Sequence, residues 1–372
     1  MLAPTPPMGW NSWNTFGSNI HENLVRETAD VFITQGLKDA GYTYIVIDDM
    51  WQADERDADG RLVPDPAKFP SGIKTLADYI HSKGLKFGIY SCAGAKTCAG
   101  KPGSFGYEEL DARTFAAWGV DYLKYDFCYK PANTDGPALY RRMGQALRAT
   151  GRPIVFSACE WGLGKPWEWA AGAGAHLWRT TGDIEDSWES IAKIGFGQAG
   201  LEAYSGPDQW NDPDMLVVGM YGKGNVARGG CTDAEYRTHF SLWCLLAAPL
   251  LIGCDVRQLD AMTRTILLNR NLIAVNQDGL GRQARYLGRD WDCFETWMKP
   301  LADGSVAVGQ FNRHDTVTRA MSAAWEALAI HDRQPCRVQD LWSGEDLGAH
   351  ERLVSVVVEP HDARVLRITP VR

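Results

Sequence analysis

The chain has 372 residues, 45% of them hydrophobic, which is enough for one large domain with a full core plus a smaller one. Its 46 acidic residues outnumber the 38 basic ones, and the resulting net charge of −8 disfavours nucleic acid or an anionic membrane as the main partner. No run of roughly twenty apolar residues occurs, so no membrane-spanning helix is expected.

The segment Met1–Pro7 lacks the basic and apolar regions of a signal peptide. The expected compartment is the cytoplasm as the sequence stands, or outside the cell if a leader has been removed. The nine cysteines are odd in number and contain no Cys-x-x-Cys, which reads as mostly reduced thiols. There is no Asn-x-Ser/Thr sequon, and the histidines show no metal-binding spacing, so neither a metal nor a cofactor is expected. The 15 tryptophans suit stacking on the C–H faces of sugars, although most are expected to fill the core.

Strand and helix patterns alternate along the first three quarters of the chain. Met8–Trp13 reads as a strand. Asn19 and Glu22 have capping-box spacing, and Leu24, Thr28, Val31 and Phe32 follow at helical intervals. Gly36 and Gly41 end that unit, before the strand Tyr42–Asp49. Ile73, Leu76, Ala77 and Ile80 form a second helix face, closed by Gly84 before the strand Lys86–Tyr90. A helix through Phe115 and Trp118 stops at Gly119, before the strand Asp121–Asp126. Leu139, Met143 and Leu147 form a further helix face, followed by Gly151 and the strand Ile154–Glu160. More strands are expected at His176–Thr181, near Trp210 and at Pro249–Gly253. About eight strands over roughly 280 residues fit a (β/α)₈ barrel, placed at 1–282. A doubly wound open sheet is the rival, disfavoured because no Gly-rich phosphate turn follows the first strand.

Beyond 283 the pattern becomes antiparallel. Phe294–Leu301 and Ser305–Phe311 flank the hairpin signal Asp303-Gly304. Trp342–Gly344 is another turn, Val354, Val356 and Val358 alternate, and Val365–Ile368 follows a turn at His361-Asp362. An antiparallel β sandwich with a structural role is expected over 283–372.

The segment Asp121–Asp126 carries the strongest chemical signal. Lys124 and Asp126 share one face of a strand by the period-2 rule. A carboxylate beside a cation stays ionised, which suits a nucleophile. A second acid, Asp183, ends the stretch from Trp178. Such a pair is the equipment of a glycoside hydrolase. A single Asp at a strand end is more often a cap or turn former, but here the arrangement recurs. The rim at the C-terminal ends of the strands carries, in order, Trp13, Asp48, Asp49, Tyr90, Lys124, Asp126, Glu160, Arg179, Asp183 and Asp214. This inventory suits a small polyhydroxylated ligand. Gly94–Lys101 lacks the spacing of a P-loop, and Asn211–Asp214 lacks that of an EF-hand.

Six motifs in order carry a resemblance. Met8–Trp13, Ile47–Asp49, Lys124–Asp126, Cys159–Trp161, Trp178–Trp188 and Trp210–Met215, with Asn276–Asp278 near the barrel end, resemble the melibiase-type α-galactosidases and α-N-acetylgalactosaminidases. The resemblance implies a retaining exo-α-galactosidase acting on α-galactosides, with Asp126 as nucleophile at low pKa and Asp183 as acid/base at raised pKa. Lys124 and Arg179 would help to set those values. It implies that Asp48 and Asp49 hold the sugar O6 and O4, Lys124 the region of O3 and O4, and Arg179 that of O2. Trp13, Tyr90 and Met215 would wall the pocket, Asp214 would stand on its rim, and Glu160 would crowd the space an N-acetyl group needs at the 2-position. Met50 and Ala175 stand where secreted relatives carry cysteines, whereas Cys98 and Cys128 occupy positions that form a disulfide beside the pocket. A β-L-arabinopyranosidase and a non-catalytic galactose-binding barrel remain the alternatives.

Overall fold

Eight short strands, most of them apolar or aromatic, form one parallel sheet in the computed structural model, which describes residues 1–371. They are β1 (Met8–Asn11), β2 (Tyr44–Val46), β3 (Lys86–Cys92), β4 (Tyr122–Asp126), β5 (Val155–Ala158), β6 (Leu177–Arg179), β7 (Trp210–Asp212) and β8 (Leu250–Ile252). Their order is β7-β6-β5-β4-β3-β2-β1-β8. The ring closes just beyond β7. Asp214 adopts a left-handed φ of +82° and redirects the chain. Leu216 then donates its N–H to Leu251 O at 2.8 Å and accepts from Gly253 N–H at 2.9 Å. Successive strands are joined by helix or loop crossovers, as a parallel barrel requires.

Side-chain alternation sorts residues between two cores. Tyr44, Val46, Tyr122, Val155, Leu177, Trp210 and Leu251 fill the barrel lumen. Ile45, Ile47, Leu123, Tyr125, Phe156 and Trp178 point outward, into the layer shared with the helices. The same period of two therefore aims Lys124, Asp126, Asp48 and Arg179 at the lumen, stacked above that apolar plug. The register sets Tyr90 opposite Lys124 and Cys92 opposite Asp126.

The expected helix faces are buried at Leu24, Thr28 and Phe32, at Ile73, Leu76, Ala77 and Ile80, and at Leu139, Met143 and Leu147. The first cap differs from the expectation. His21, not Asn19, caps the helix Glu22–Thr34, its ring nitrogen accepting Leu24 N–H at 3.2 Å. Glu22 is instead engaged by Arg26 and by Ser71 N–H, tethering the neighbouring segment. A true capping box stands at Thr232 and Glu235, at the start of the helix Asp233–Leu245.

The remaining strands are β9 (Arg285–Asp290), β10 (Phe294–Pro300), β11 (Val306–Asn312), β12 (Arg319–Ala324), β13 (Cys336–Asp340), β14 (Asp346–His350), β15 (Leu353–Val358) and β16 (Ala363–Pro370). All pair antiparallel, as a six-stranded sheet facing the β12–β15 pair. Phe294, Met298, Val308, Met321, Val354, Val356, Val358 and Ile368 fill the space between them. The other face of the larger sheet presents Trp297, Phe311 and Val365 to the barrel's outer core. Arg237–Asp362 and the bond from Thr238 Oγ1 to His361 O (2.7 Å) fasten this seam. Among the described residues, no helix is long and apolar enough to cross a membrane.

Candidate active site

A cavity of about 200 Å³ opens at the C-terminal rim of the barrel. Trp13, Asp48, Asp49, Tyr90, Lys124, Asp126, Arg179, Asp183, Asp214, Met215 and the Cys98–Cys128 pair all line it. Residues from Trp13 to Met215, carried by different strand ends and the loops after them, thus converge on one place. Asn14, Trp161 and Val226 complete the lining; of these the sequence offers only Trp161, as the end of the Cys159–Trp161 motif and not as a pocket residue.

Each carboxylate is held by partners that its position dictates. Asp48 Oδ2 accepts Lys124 Nζ at 2.8 Å and Asn11 Nδ2 at 2.7 Å. Asp49 accepts the N–H groups of Ala99 (2.8 Å) and Met50 (2.7 Å). Burial raises the Asp49 carboxyl pKa despite those bonds. Lys124 lies 5.4 Å from the Tyr90 ring centre. Burial works against its charge, but Asp48, Asp126 and Asp214 outweigh that and hold the ammonium well above its ordinary pKa.

Asp126 Oδ1 accepts Phe127 N–H at 2.9 Å, and Oδ2 accepts the Tyr90 hydroxyl at 3.1 Å. Burial pushes its carboxyl up to about 6, against the pull of Lys124. The expected low pKa is therefore not found. Lys124 gives its hydrogen bond to Asp48 across the barrel, and desolvation governs Asp126.

The expected raised pKa of Asp183 is likewise not found. This side chain is 68% exposed at the pocket mouth, and Arg179 Nη2 lies 2.9 Å from its Oδ1. What burial it has works upward, but the Arg179 guanidinium, with help from Lys124, holds the carboxyl below its usual range. Arg179 also reaches Asp214 Oδ2 at 3.1 Å. Asp214 accepts Ile184 N–H at 2.8 Å, so it anchors the loop that carries Asp183. Arg179 Nε and Asn14 Nδ2 are buried donors without a protein partner. Donors and carboxylate acceptors therefore alternate around a small cavity, the pattern that a ring of hydroxyl groups satisfies.

Glu160 does not line the cavity. Its two carboxylate oxygens lie 2.7 and 2.9 Å from Gly164 N–H. The left-handed backbone at Trp161 (φ +59°) folds the chain back on itself. Glu160 closes that turn, and the Trp161 ring takes the place on the wall, so the expected crowding at the 2-position by Glu160 is not borne out by this placement.

Cys98 and Cys128 are joined by a disulfide with Cα atoms 5.1 Å apart, from the loop after β3 to the loop after β4. The other seven cysteines are free thiols, six of them buried.

A family model described as alpha galactosidase A matches residues 5–278, and one described as the alpha galactosidase C-terminal beta sandwich domain matches residues 292–368. The alpha-galactosidase of Cyamopsis tetragonoloba is 47% identical over 370 residues, covering 99% of this chain and 87% of the relative. Alpha-galactosidase I of Mortierella vinacea superposes with a TM-score of 0.92 at 37% identity, covering 99% of this chain and 97% of that one. A β-L-arabinopyranosidase of Geobacillus stearothermophilus superposes with a TM-score of 0.89 at 28% identity, covering 100% and 98% of the two chains.

Proposed function

Because this chain belongs to the α-galactosidase A family of glycosidases, we propose that it is a retaining exo-α-galactosidase whose catalytic unit spans 1–282, with 283–372 as its β companion. The observation that carries this reading is one small cavity shared by Asp126 and Asp183. Its volume of about 200 Å³ lies below the roughly 300–1,000 Å³ of sites for drug-sized ligands. One terminal sugar ring fits that space, and the rest of the substrate extends outward.

In this mechanism Asp126 attacks the anomeric carbon. The bond to the leaving oxygen breaks as Asp183 gives that oxygen its proton. Water then attacks the glycosyl-Asp126 ester while Asp183 takes a proton from it, releasing galactose with its configuration retained. Because Arg179 favours ionised Asp183 in the free site, the sugar has a second task. A hydroxyl near C2 draws on the guanidinium and displaces solvent, so the shared proton moves from Asp126 to Asp183. Lys124, neutralised by Asp48, remains near the nucleophile and keeps it anionic once that proton leaves.

Asp48 and Asp49 receive the O6 and O4 hydroxyls, with Lys124 near O3 and O4, and Trp13, Tyr90 and Met215 as walls. An arabinopyranoside lacks the hydroxymethyl group, which leaves a buried carboxylate without its hydroxyl partner, so galactosides are favoured. The test is turnover of p-nitrophenyl α-galactoside against p-nitrophenyl β-L-arabinopyranoside, with the first-formed anomer read by NMR. A preference for the arabinoside would overturn the substrate, an inverted product the covalent step, and no turnover of either the enzymatic reading.

A further inference from the structure

The disulfide lies against the group assigned as nucleophile. One ligand atom of each of Cys98, Asp126 and Cys128 lies within 4.8 Å of both others. Tyr90 Oη joins them, 3.4 Å from Cys98 Sγ and 3.1 Å from Asp126 Oδ2. Cys98 is exposed to solvent, so the bond is open to a reductant. From this cluster we infer that reduction converts the cavity wall into a binding site for a thiophilic divalent cation of the Zn²⁺ class, held by two thiolates and Asp126, and that the bound ion blocks catalysis.

The chemistry follows from the ligand set. Two sulfurs and one carboxylate with an open fourth position suit tetrahedral Zn²⁺ or Cd²⁺. Ligand atoms on one such ion stand roughly 3.5–3.8 Å apart, inside the 4.8 Å envelope of the three residues. Cleaving the S–S bond frees both side chains to rotate into that spacing. A phosphine reduces the bond by two electrons: water supplies the oxygen of the phosphine oxide, and two thiols result. The cation then displaces the two thiol protons, so its affinity rises with pH. Cys92 is close by, but its thiol is turned to Cys128 O at 3.2 Å, and it is not among the three residues whose ligand atoms converge. While the disulfide is intact no thiolate exists at this wall, and only Asp126 is left as a ligand. The site is therefore gated by redox state. An ion there takes Asp126 Oδ2 from Tyr90 and from the anomeric carbon alike.

The link to activity rests on Asp126 as the nucleophile, whereas the binding itself does not. The test compares the whole chain as prepared with the same chain treated with a water-soluble phosphine and desalted without oxygen. Cd²⁺ is titrated into each, and the ultraviolet thiolate-to-metal absorption is read. The reduced chain is expected to gain one equivalent of Cd²⁺ with a two-thiolate band that the oxidised chain lacks. Zn²⁺ should halve turnover of the reduced chain at a concentration at least about tenfold lower than for the oxidised one, with galactose protecting. Asp126→Asn should weaken Cd²⁺ binding by the reduced chain at least about tenfold while leaving two thiolates on the ion. Identical Cd²⁺ spectra in the two redox states would overturn the site. Cd²⁺ bound at full strength by the reduced chain with turnover unchanged would overturn its overlap with the nucleophile. An Asp126→Asn chain that still turns over would instead overturn the catalytic reading and leave the metal site standing.

Discussion

The protonation of the carboxylate pair makes a directional prediction. Cleaving an alkyl galactoside requires one carboxylate free to attack and one proton to give. In the free enzyme burial holds Asp126 up to about 6, and Arg179 holds Asp183 low. Between those two values the pair carries one proton, and the active form is present. Raising the pH through about 6 strips that last proton, so kcat/KM falls tenfold per unit. From pH 6, where half the sites keep the proton, to pH 8 the loss is about fiftyfold, or about 2.3 kcal/mol of transition-state stabilisation. The assay is kcat/KM on methyl α-galactoside from pH 4 to 8, since this parameter reports the free enzyme. Asp183→Ala on p-nitrophenyl α-galactoside supplies the sign control. That leaving group needs little protonation, so only ionised Asp126 matters, and the profile should rise with pH instead of falling. Its midpoint should lie below about 6, because the Asp183 charge that raises Asp126 is gone. A wild-type profile flat to pH 8, or a variant profile that still falls with pH, would refute the assignment of the pair.

Three further outcomes follow from the same contacts. Asp183→Ala should lose roughly 10²–10⁴-fold in kcat on alkyl galactosides and much less on the nitrophenyl substrate; equal losses would remove Asp183 as the acid. Lys124→Met leaves the buried Asp48 with only neutral donors, the Asn11 amide and the Asp49 N–H, so unfolding free energy by urea titration should fall by about 3–5 kcal/mol, toward the lower value because those two hydrogen bonds remain. Reduction of Cys98–Cys128 without added metal should raise KM more than it lowers the melting temperature, because the large barrel core does not depend on that link; a fall of roughly ten degrees or more at constant KM would reverse this.

Much of this architecture is legible in the residue pattern, because a strand's period of two is a local rule. Knowing that Tyr122 and Tyr44 point inward is enough to send Lys124, Asp126 and Asp48 to the same lumen. The pattern says less where backbone conformation overrides it. Glu160 stands at a strand end like the others, yet Trp161 takes a left-handed turn and Gly164 N–H captures the carboxylate. The closely spaced Gly162 and Gly164 were the available signal for that turn. Barrel closure through Leu216 depends in the same way on the left-handed φ of Asp214, a residue read only for its charge. Asn14 and Val226 meet because a distant loop returns, its N–H groups bonding Asn14 O at 2.8 and 3.1 Å, which no local period encodes.

Proton placement is the deepest of these tertiary properties. Lys124 has two carboxylates within reach, Asp126 two residues away on its own strand and Asp48 on another. Side chains two apart on a strand point the same way but stand side by side, whereas Asp48 projects into the lumen toward Lys124 and receives its hydrogen bond at 2.8 Å. Arg179 is likewise drawn to Asp183 and Asp214 at 2.9 and 3.1 Å. Both cations are thereby assigned away from the buried Asp126, and desolvation is left to set its pKa. Below about pH 6 the resting site thus holds its proton on Asp126, the proposed nucleophile. In the proposed mechanism substrate hydroxyls that compete for Arg179 reverse that order, so recognition at the 2-position and activation of the acid become one event.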